Sequence, residues 1–178
     1  MVNAWFFNPT DEDKRELHQF VPNQPVSLEE LAKLGVEYYL FDDQESVDAF
    51  ALQRQYKNRD LITIHKDKLP NYEEKLENFF TEHLHDDEEI RYIKEGTGYF
   101  DVRDHADRWI RIQVEPKDLL IIPVGIYHRF TLDTNNYIVA LRLFHDEPKW
   151  TPYNRLDTAT DARPSRDVYL KQFVAVEN

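Results

Sequence analysis

The chain has no cysteine among its 178 residues, which excludes disulfides, thiolate metal sites and cysteine nucleophiles. With only four glycines, it has no Gly/Ser linker, and no repeat or low-complexity tract divides it. No run of about 18 apolar residues occurs, so no membrane span is expected. The opening MVNAWFFNPTDEDKRE lacks a basic start followed by an apolar stretch, so it does not read as a secretory signal. Positive charge is scarce: 22 Lys and Arg against 34 Asp and Glu give a net charge of -12. That balance argues against binding nucleic acid or an anionic membrane. A small anionic substrate stays possible if a metal or arginine sits in the site. The expectation is a soluble intracellular protein, and the acidic, cysteine-free surface is compatible with a monomer.

What is present fits a folded globular chain: 41% hydrophobic and 13% aromatic residues, with 31% charged residues of mixed sign. The length suits one domain. The segment SLEELAKLG reads as a helix with Ser27 as N-cap, Glu30 completing a capping box and Gly35 ending it. VEYYLF reads as a strand, SVDAFALQRQYKN as a helix with Val47, Phe50 and Ala51 on its apolar face, and LITIHKD as a short β-run. NYEEKLENFF places Asn71 and Glu74 at capping-box spacing, with Tyr72, Leu76, Phe79 and Phe80 on one helical face. From residue 84 to 145 the pattern turns to strands: EIRYIKEGTGYFDVRD as a hairpin turned at Glu95–Gly98, then RWIRIQVEP, DLLIIP, IYHRFTLD and YIVALRLF. Closely spaced strands of this kind point to a small barrel or sandwich. The division expected is a helical N-terminal layer over about 1–82, a β-core over about 83–146 and a C-terminal wrap over about 147–178.

The segment TEHLHDDEEIRYIKEGTGYF concentrates the chemistry. His83, His85, Glu89 and Arg91 share strand parity. In a straight strand, at about 3.3 Å per residue, His83 and Glu89 would be too far apart to meet. A bend in the run Asp86-Asp87-Glu88 would bring Glu89 back. In IYHRFTLD, Ile126, His128, Phe130 and Leu132 form one face, so His128 would project from an apolar face. Three imidazoles and a carboxylate suit divalent Fe, Ni, Mn or Zn, and four ligands on an octahedral ion leave two positions for a bidentate oxygen substrate. Two histidines at i, i+2 taken alone are more often surface residues. Glu88 is a rival ligand of the wrong parity, and His18, His65, His105 and His145 read as surface or loop residues. Arg142, in an apolar strand, needs an anionic partner.

His83 to Gly96 reads H-x-H-x3-E-x6-G, and residues 123–128 read P-x-G-x2-H. These resemble the two metal-binding motifs of the cupins. KDKLPNYEEKLENFFTEHLHDDEEIRYIKEGTGYFDVRD, DRWIRI, PVGIYHRFTLD and ALRLF, with MVNAWFF and EPKWTPYNR, resemble the eukaryotic-type acireductone dioxygenases nearly end to end. Glu77 and Lys117 stand where the cupin motifs open with glycine, and Leu132 stands where an asparagine is usual, which puts loop geometry in question. The resemblance implies a mostly β (α+β) fold, a cupin-type β-barrel or jelly roll with N-terminal helices packed outside. It also implies one Fe(II) or Ni(II) ion per chain on His83, His85, Glu89 and His128. The implied substrates are O2 and 1,2-dihydroxy-3-oxo-5-(methylthio)pent-1-ene, an intermediate of methionine salvage. Arg91 would offset the enediolate charge as the catalytic residue. Phe79, Ile93, Phe100, Phe130 and Phe144 would wall the substrate pocket. With Fe(II) the implied products are formate and 4-methylthio-2-oxobutanoate; with Ni(II) they are formate, CO and 3-(methylthio)propanoate. A cytoplasmic location, with the nucleus as a second, goes with this reading. Two alternatives remain: a cupin sugar isomerase or epimerase, and a non-catalytic metal-binding cupin that serves as a partner protein.

Overall fold

The computed structural model describes residues 3–174. Most of them belong to two antiparallel sheets. The first has six strands, in the order β1 (Asn3–Phe6), β7 (Trp109–Val114), β6 (Gly98–Arg103), β9 (His128–Leu132), β4 (His83–Leu84) and β11 (Tyr153–Asn154). The second has five: β2 (Glu37–Leu40), β8 (Asp118–Ile122), β5 (Glu89–Gly96), β10 (Ile138–Phe144) and β3 (Asn58–Ile64). Side chains from both sheets meet in one apolar core, among them Ile93, Phe100, Ile112, Leu120, Ile122, Phe130 and Ile138. The architecture is the mostly β, double-sheet one expected. Among the described residues, no helix is long and apolar enough to cross a membrane.

Helix α1 (Leu28–Lys33) starts as its sequence dictates. Ser27 Oγ accepts from the Glu30 amide at 3.1 Å, and Glu30 accepts from the Ser27 amide at 2.7 Å. Helix α2 (Gln44–Gln53) lies on the side of the five-stranded sheet away from the main core. There Val47 and Ala51 pack with Ile90, Leu119, Ile121 and Leu143. That sheet is therefore covered on both faces, which explains why β8 is buried along its whole length and reads as an apolar run without alternation. Helix α3 (Tyr72–Phe80) leans on the main core through Tyr72, Leu76 and Phe79, and Phe80 instead meets the cations of Lys14 and Arg129.

Several expectations are corrected. The Glu95–Gly98 turn closes no hairpin, because β5 pairs with β8 and β10 while β6 pairs with β7 and β9. The turn instead carries the chain between sheets. Gly96 has φ +73°, and a Cβ there would lie 2.2 Å from the Tyr137 carbonyl oxygen, so this corner requires glycine. Asn71 forms no capping box; its own backbone is left-handed (φ 55°) and its side chain caps nothing. Helix α2 begins at Gln44, capped by Asp43, and stops at Gln53, because Asn58 already opens β3. The first 82 residues are more than a helical layer, since β1, β2 and β3 pair with β7, β8 and β10. The C-terminal wrap also contributes β11 to a sheet and closes with α4 (Pro164–Tyr169) and a wider turn, Leu170–Val174; residues 175–178 of it lie outside the described residues. Lys117 takes φ 80°, the left-handed conformation for which glycine is favoured.

Behind the six-stranded sheet sits a second group of buried charges. Arg111, fully buried, makes a two-pronged bond to Asp101 at 2.8 and 2.9 Å and donates to the Lys14 and Glu16 carbonyls. Arg129 reaches the same carboxylate at 2.8 Å. Both guanidinium groups lie against the ring of Phe7. His18, expected as a surface or loop residue, lies in a loop but is buried there against Phe7. The N-terminal segment is thus fastened over the polar side of β6, β7 and β9.

Candidate metal centre

Strand register sets the first contacts. His83 on β4 stands directly opposite His128 on β9, Glu89 opens β5 from the other sheet, and His85 follows the end of β4. One ligand atom from each of the four lies within 4.8 Å of the others. The expected bend at Asp86–Glu88 accounts for this: the chain leaves one sheet after His85 and enters the other at Glu89. Each imidazole turns Nδ1 outward to a main-chain carbonyl, His83 to Thr81 at 2.5 Å, His128 to Ile126 at 3.0 Å and His85 to Thr151 at 3.0 Å. A carbonyl only accepts, so Nδ1 carries the hydrogen and Nε2 turns its lone pair inward.

The electrostatics keep these lone pairs available. Burial, then the neighbouring His128 and His85 rings, push the His83 imidazole down to about 3. Burial likewise lowers His85. Burial opposes ionisation of Glu89, yet the charge of Arg91 and the rings of His128 and His85 hold its carboxyl well below the usual range. Glu89 Oε2 lies 2.8 Å from His128 Nε2 and 3.5 Å from His85 Nε2. Inward lone pairs facing a carboxylate are a donor set that a divalent cation satisfies, and the residues fit one.

These groups line a cavity of about 460 Å³ whose other walls include Phe79, Phe130, Phe144, Trp150 and Arg91. A smaller, mostly apolar recess adjoins it, sharing Phe79, Glu89, Arg91, Phe130 and Arg142 and adding Ile93 and Phe100. Arg91 donates to the Ile90 carbonyl at 3.1 Å and stands 3.3 Å from Glu89 Oε1.

The family model described as "ARD/ARD' family" matches residues 3–152. The chain is 52% identical to the acireductone dioxygenase of Gallus gallus over 99% of both chains. It is 54% identical to that of Xenopus tropicalis, over 98% of this chain and all of the relative. The chain belongs to the ARD/ARD' family. A solved acireductone dioxygenase from Bacillus anthracis, with a cadmium ion in its active centre, superposes with a TM-score of 0.68 over 85% of this chain and 97% of its own. At 24% identity it speaks for the fold, which is the expected cupin one.

In this family member all ten sequence-derived site positions surround the one cavity or its recess. Arg142, whose partner the sequence left unnamed, makes a two-pronged pair with Asp60 at 2.7 and 2.8 Å and lies over Trp150. Glu88 lines the cavity but stands outside the four-ligand cluster, bonded to His145 at 3.2 Å. Asp86, in the bend before Glu89, is an anchor bonded to Arg163 and Ser165. Sequence reasoning missed Trp150 and the three carbonyls of Thr81, Ile126 and Thr151. Trp150 lies within EPKWTPYNR, a stretch that carried the resemblance, whereas main-chain acceptors leave no mark in residue identity.

Proposed function

We propose that the chain is a metal-dependent acireductone dioxygenase of methionine salvage, cleaving 1,2-dihydroxy-3-oxo-5-(methylthio)pent-1-ene with O2 on one ion held by His83, His85, Glu89 and His128. The observation that carries this reading is the convergence of three inward Nε2 atoms and one carboxylate on a cavity with aromatic walls, in which Arg91 stands beside the cluster, 3.3 Å from Glu89 Oε1. The cadmium held by the Bacillus relative is in keeping with a divalent ion there. When bound, the ion supplies Lewis acidity to two enediol oxygens. Arg91 offers a fixed positive charge beside them and disperses the enediolate charge. Phe79, Phe130 and Phe144, with Ile93 and Phe100 in the recess, take the methylthio tail and keep bulk water from it. The three Nδ1–H bonds hold the imidazoles in one tautomer, so no proton competes at Nε2.

Fe(II) and Ni(II) both suit this donor set, and the metal loaded would choose between the 2-oxo acid and the CO-forming products. Affinity rises from Fe(II) towards Ni(II), so metal supply contributes to the outcome. A sugar isomerase would need more polar groups in the adjoining recess, where only Glu89, Arg91 and Arg142 interrupt an apolar lining. A cytoplasmic location, with the nucleus as a second, and a monomeric state complete the proposal, and the acidic, cysteine-free composition is compatible with the monomer.

The test is oxygen-dependent loss of the substrate's ultraviolet absorbance, using apo protein reloaded separately with Fe(II) and Ni(II), followed by product analysis. Decay well above the spontaneous rate is expected with both. Folded, loaded protein that gives no acceleration with either metal would refute the proposal.

A further inference from the structure

Three of the four ligands owe their positions to strand pairing or to a strand's first residue, but His85 does not. Strand β4 ends at Leu84, and β5 begins only at Glu89. Most of what holds His85 comes from the C-terminal wrap. Its Nδ1 donates to the Thr151 carbonyl at 3.0 Å. Its own carbonyl accepts from the Gly125 amide at 3.1 Å. Its neighbour Asp86 is gripped by the Arg163 guanidinium at 3.2 and 2.5 Å and by the Ser165 hydroxyl at 2.7 Å. Arg163 also lies over the ring of Tyr153, whose strand β11 pairs with β4. Arg166 donates to the Gly125 carbonyl at 3.0 Å, three residues before His128. Gly125 has φ +83°, and a Cβ there would come within 2.3 Å of the Ser165 carbonyl oxygen. The last helix is therefore packed directly on both metal-bearing turns.

We infer that Asp86, clamped by Arg163 and Ser165, is a positioning residue for His85, so that the C-terminal segment is a working part of the metal centre. A fork–carboxylate pair fixes direction as well as distance, and groups that orient metal ligands typically govern affinity by about 10–100-fold. The inference rests on the metal-centre reading of His83, His85, Glu89 and His128.

The experiment measures Ni(II) affinity by chelator competition, the d–d spectrum of the Co(II)-loaded protein, and apo melting temperature. Asp86→Ala and Arg163→Ala are each expected to weaken Ni(II) binding by about 10–100-fold and to change the Co(II) band. The double variant should be no weaker than the worse single one, because both break one clamp. Arg163→Lys should recover part of the loss. Asp167→Asn, which breaks the exposed pair between Asp167 on the same helix and Lys171 in the turn after it, should leave affinity unchanged. Should Asp86→Ala fail to fold, Arg163→Ala and Ser165→Ala carry the test from the other side of the clamp. Lower melting temperature with Ni(II) affinity and Co(II) band unchanged would show a merely structural role and overturn the inference. Wild-type protein that binds neither metal would overturn the metal-centre reading along with it.

Discussion

Replacing Glu89 by glutamine keeps the side chain's shape and removes its charge. The carboxylate is nearly buried, stands 3.3 Å from Arg91 and touches two of the three imidazoles. A unit charge pair about 4 Å apart is worth about 4 kcal/mol at an effective dielectric constant of about 20. A dication doubles the attraction that is lost, and it then faces the unopposed charge of Arg91. The amide oxygen remains a neutral ligand and restores part of the loss. Taking about 4 kcal/mol as the net effect gives a loss of about a thousandfold in affinity for a divalent ion. The assay is competition with a calibrated chelator at neutral pH, using Ni(II), with circular dichroism to establish that the variant is folded. Glu88→Gln is the matched control: it changes the adjacent residue identically, but that carboxylate is turned to His145, so affinity should stay within about threefold of wild type. The reasoning is refuted if Glu89→Gln binds as wild type does, or if Glu88→Gln loses as much.

Arg91→Met should retain the metal while lowering kcat/KM by about 10²–10³, the usual effect of removing one preorganised charge-stabilising donor; metal content and steady-state rates measured on one sample check it, and loss of metal alone would assign Arg91 to the ligand set's support. In metal-free protein, stability should fall as the pH drops below about 6.5, because His83 has a folded value near 3 against 6.5 when unfolded. Between those values the unfolded chain binds the extra proton, at up to about 1.4 kcal/mol per pH unit for one group. Urea midpoints from pH 7.5 to 4.5 test this, and His83→Gln should flatten the profile; a flat wild-type profile would contradict it. Asp101→Ala should cost about 3–5 kcal/mol by stranding buried Arg111, a drop of about 6–20 °C for a chain of this size; calorimetry reading a change under about 2 °C would show that the pair contributes little.

Local patterns were readable where the physics is local. The Ser27–Glu30 box formed because both partners lie in one turn. Parity placed His128 and Phe130 on the inner side of β9, since alternation along a strand is independent of what lies opposite. The failures have a common cause in distant partners. Residues 89–103 look like a hairpin in every local respect, and only the pairing of β5 with β10, set more than forty residues later, sends the two strands to different sheets. Arg111 alternates with Ile110 and Ile112 as an exposed residue should. It is buried because the segment around Phe7 and Lys14–Glu16 folds over that side and supplies its acceptors. His18 is buried for the same reason.

The metal centre divides along the same line. His83 and His128 each give their outer nitrogen to the carbonyl two residues before them, Thr81 and Ile126. Their tautomers are settled by backbone that each histidine brings with it. His85 gives its outer nitrogen to Thr151, 66 residues away, and lies beyond the end of its strand. Two imidazoles thus have their tautomers set by short-range structure, and the third has its tautomer set only once the C-terminal segment has docked. Undocking that segment would take away the Thr151 acceptor of His85, the anchor of Asp86 and the strand β11 beside His83, so it would loosen His85 most, while Glu89 and His128 keep the pairing of β5 and β9. A segment that forms no part of the motif can in this way decide how completely the motif binds its ion.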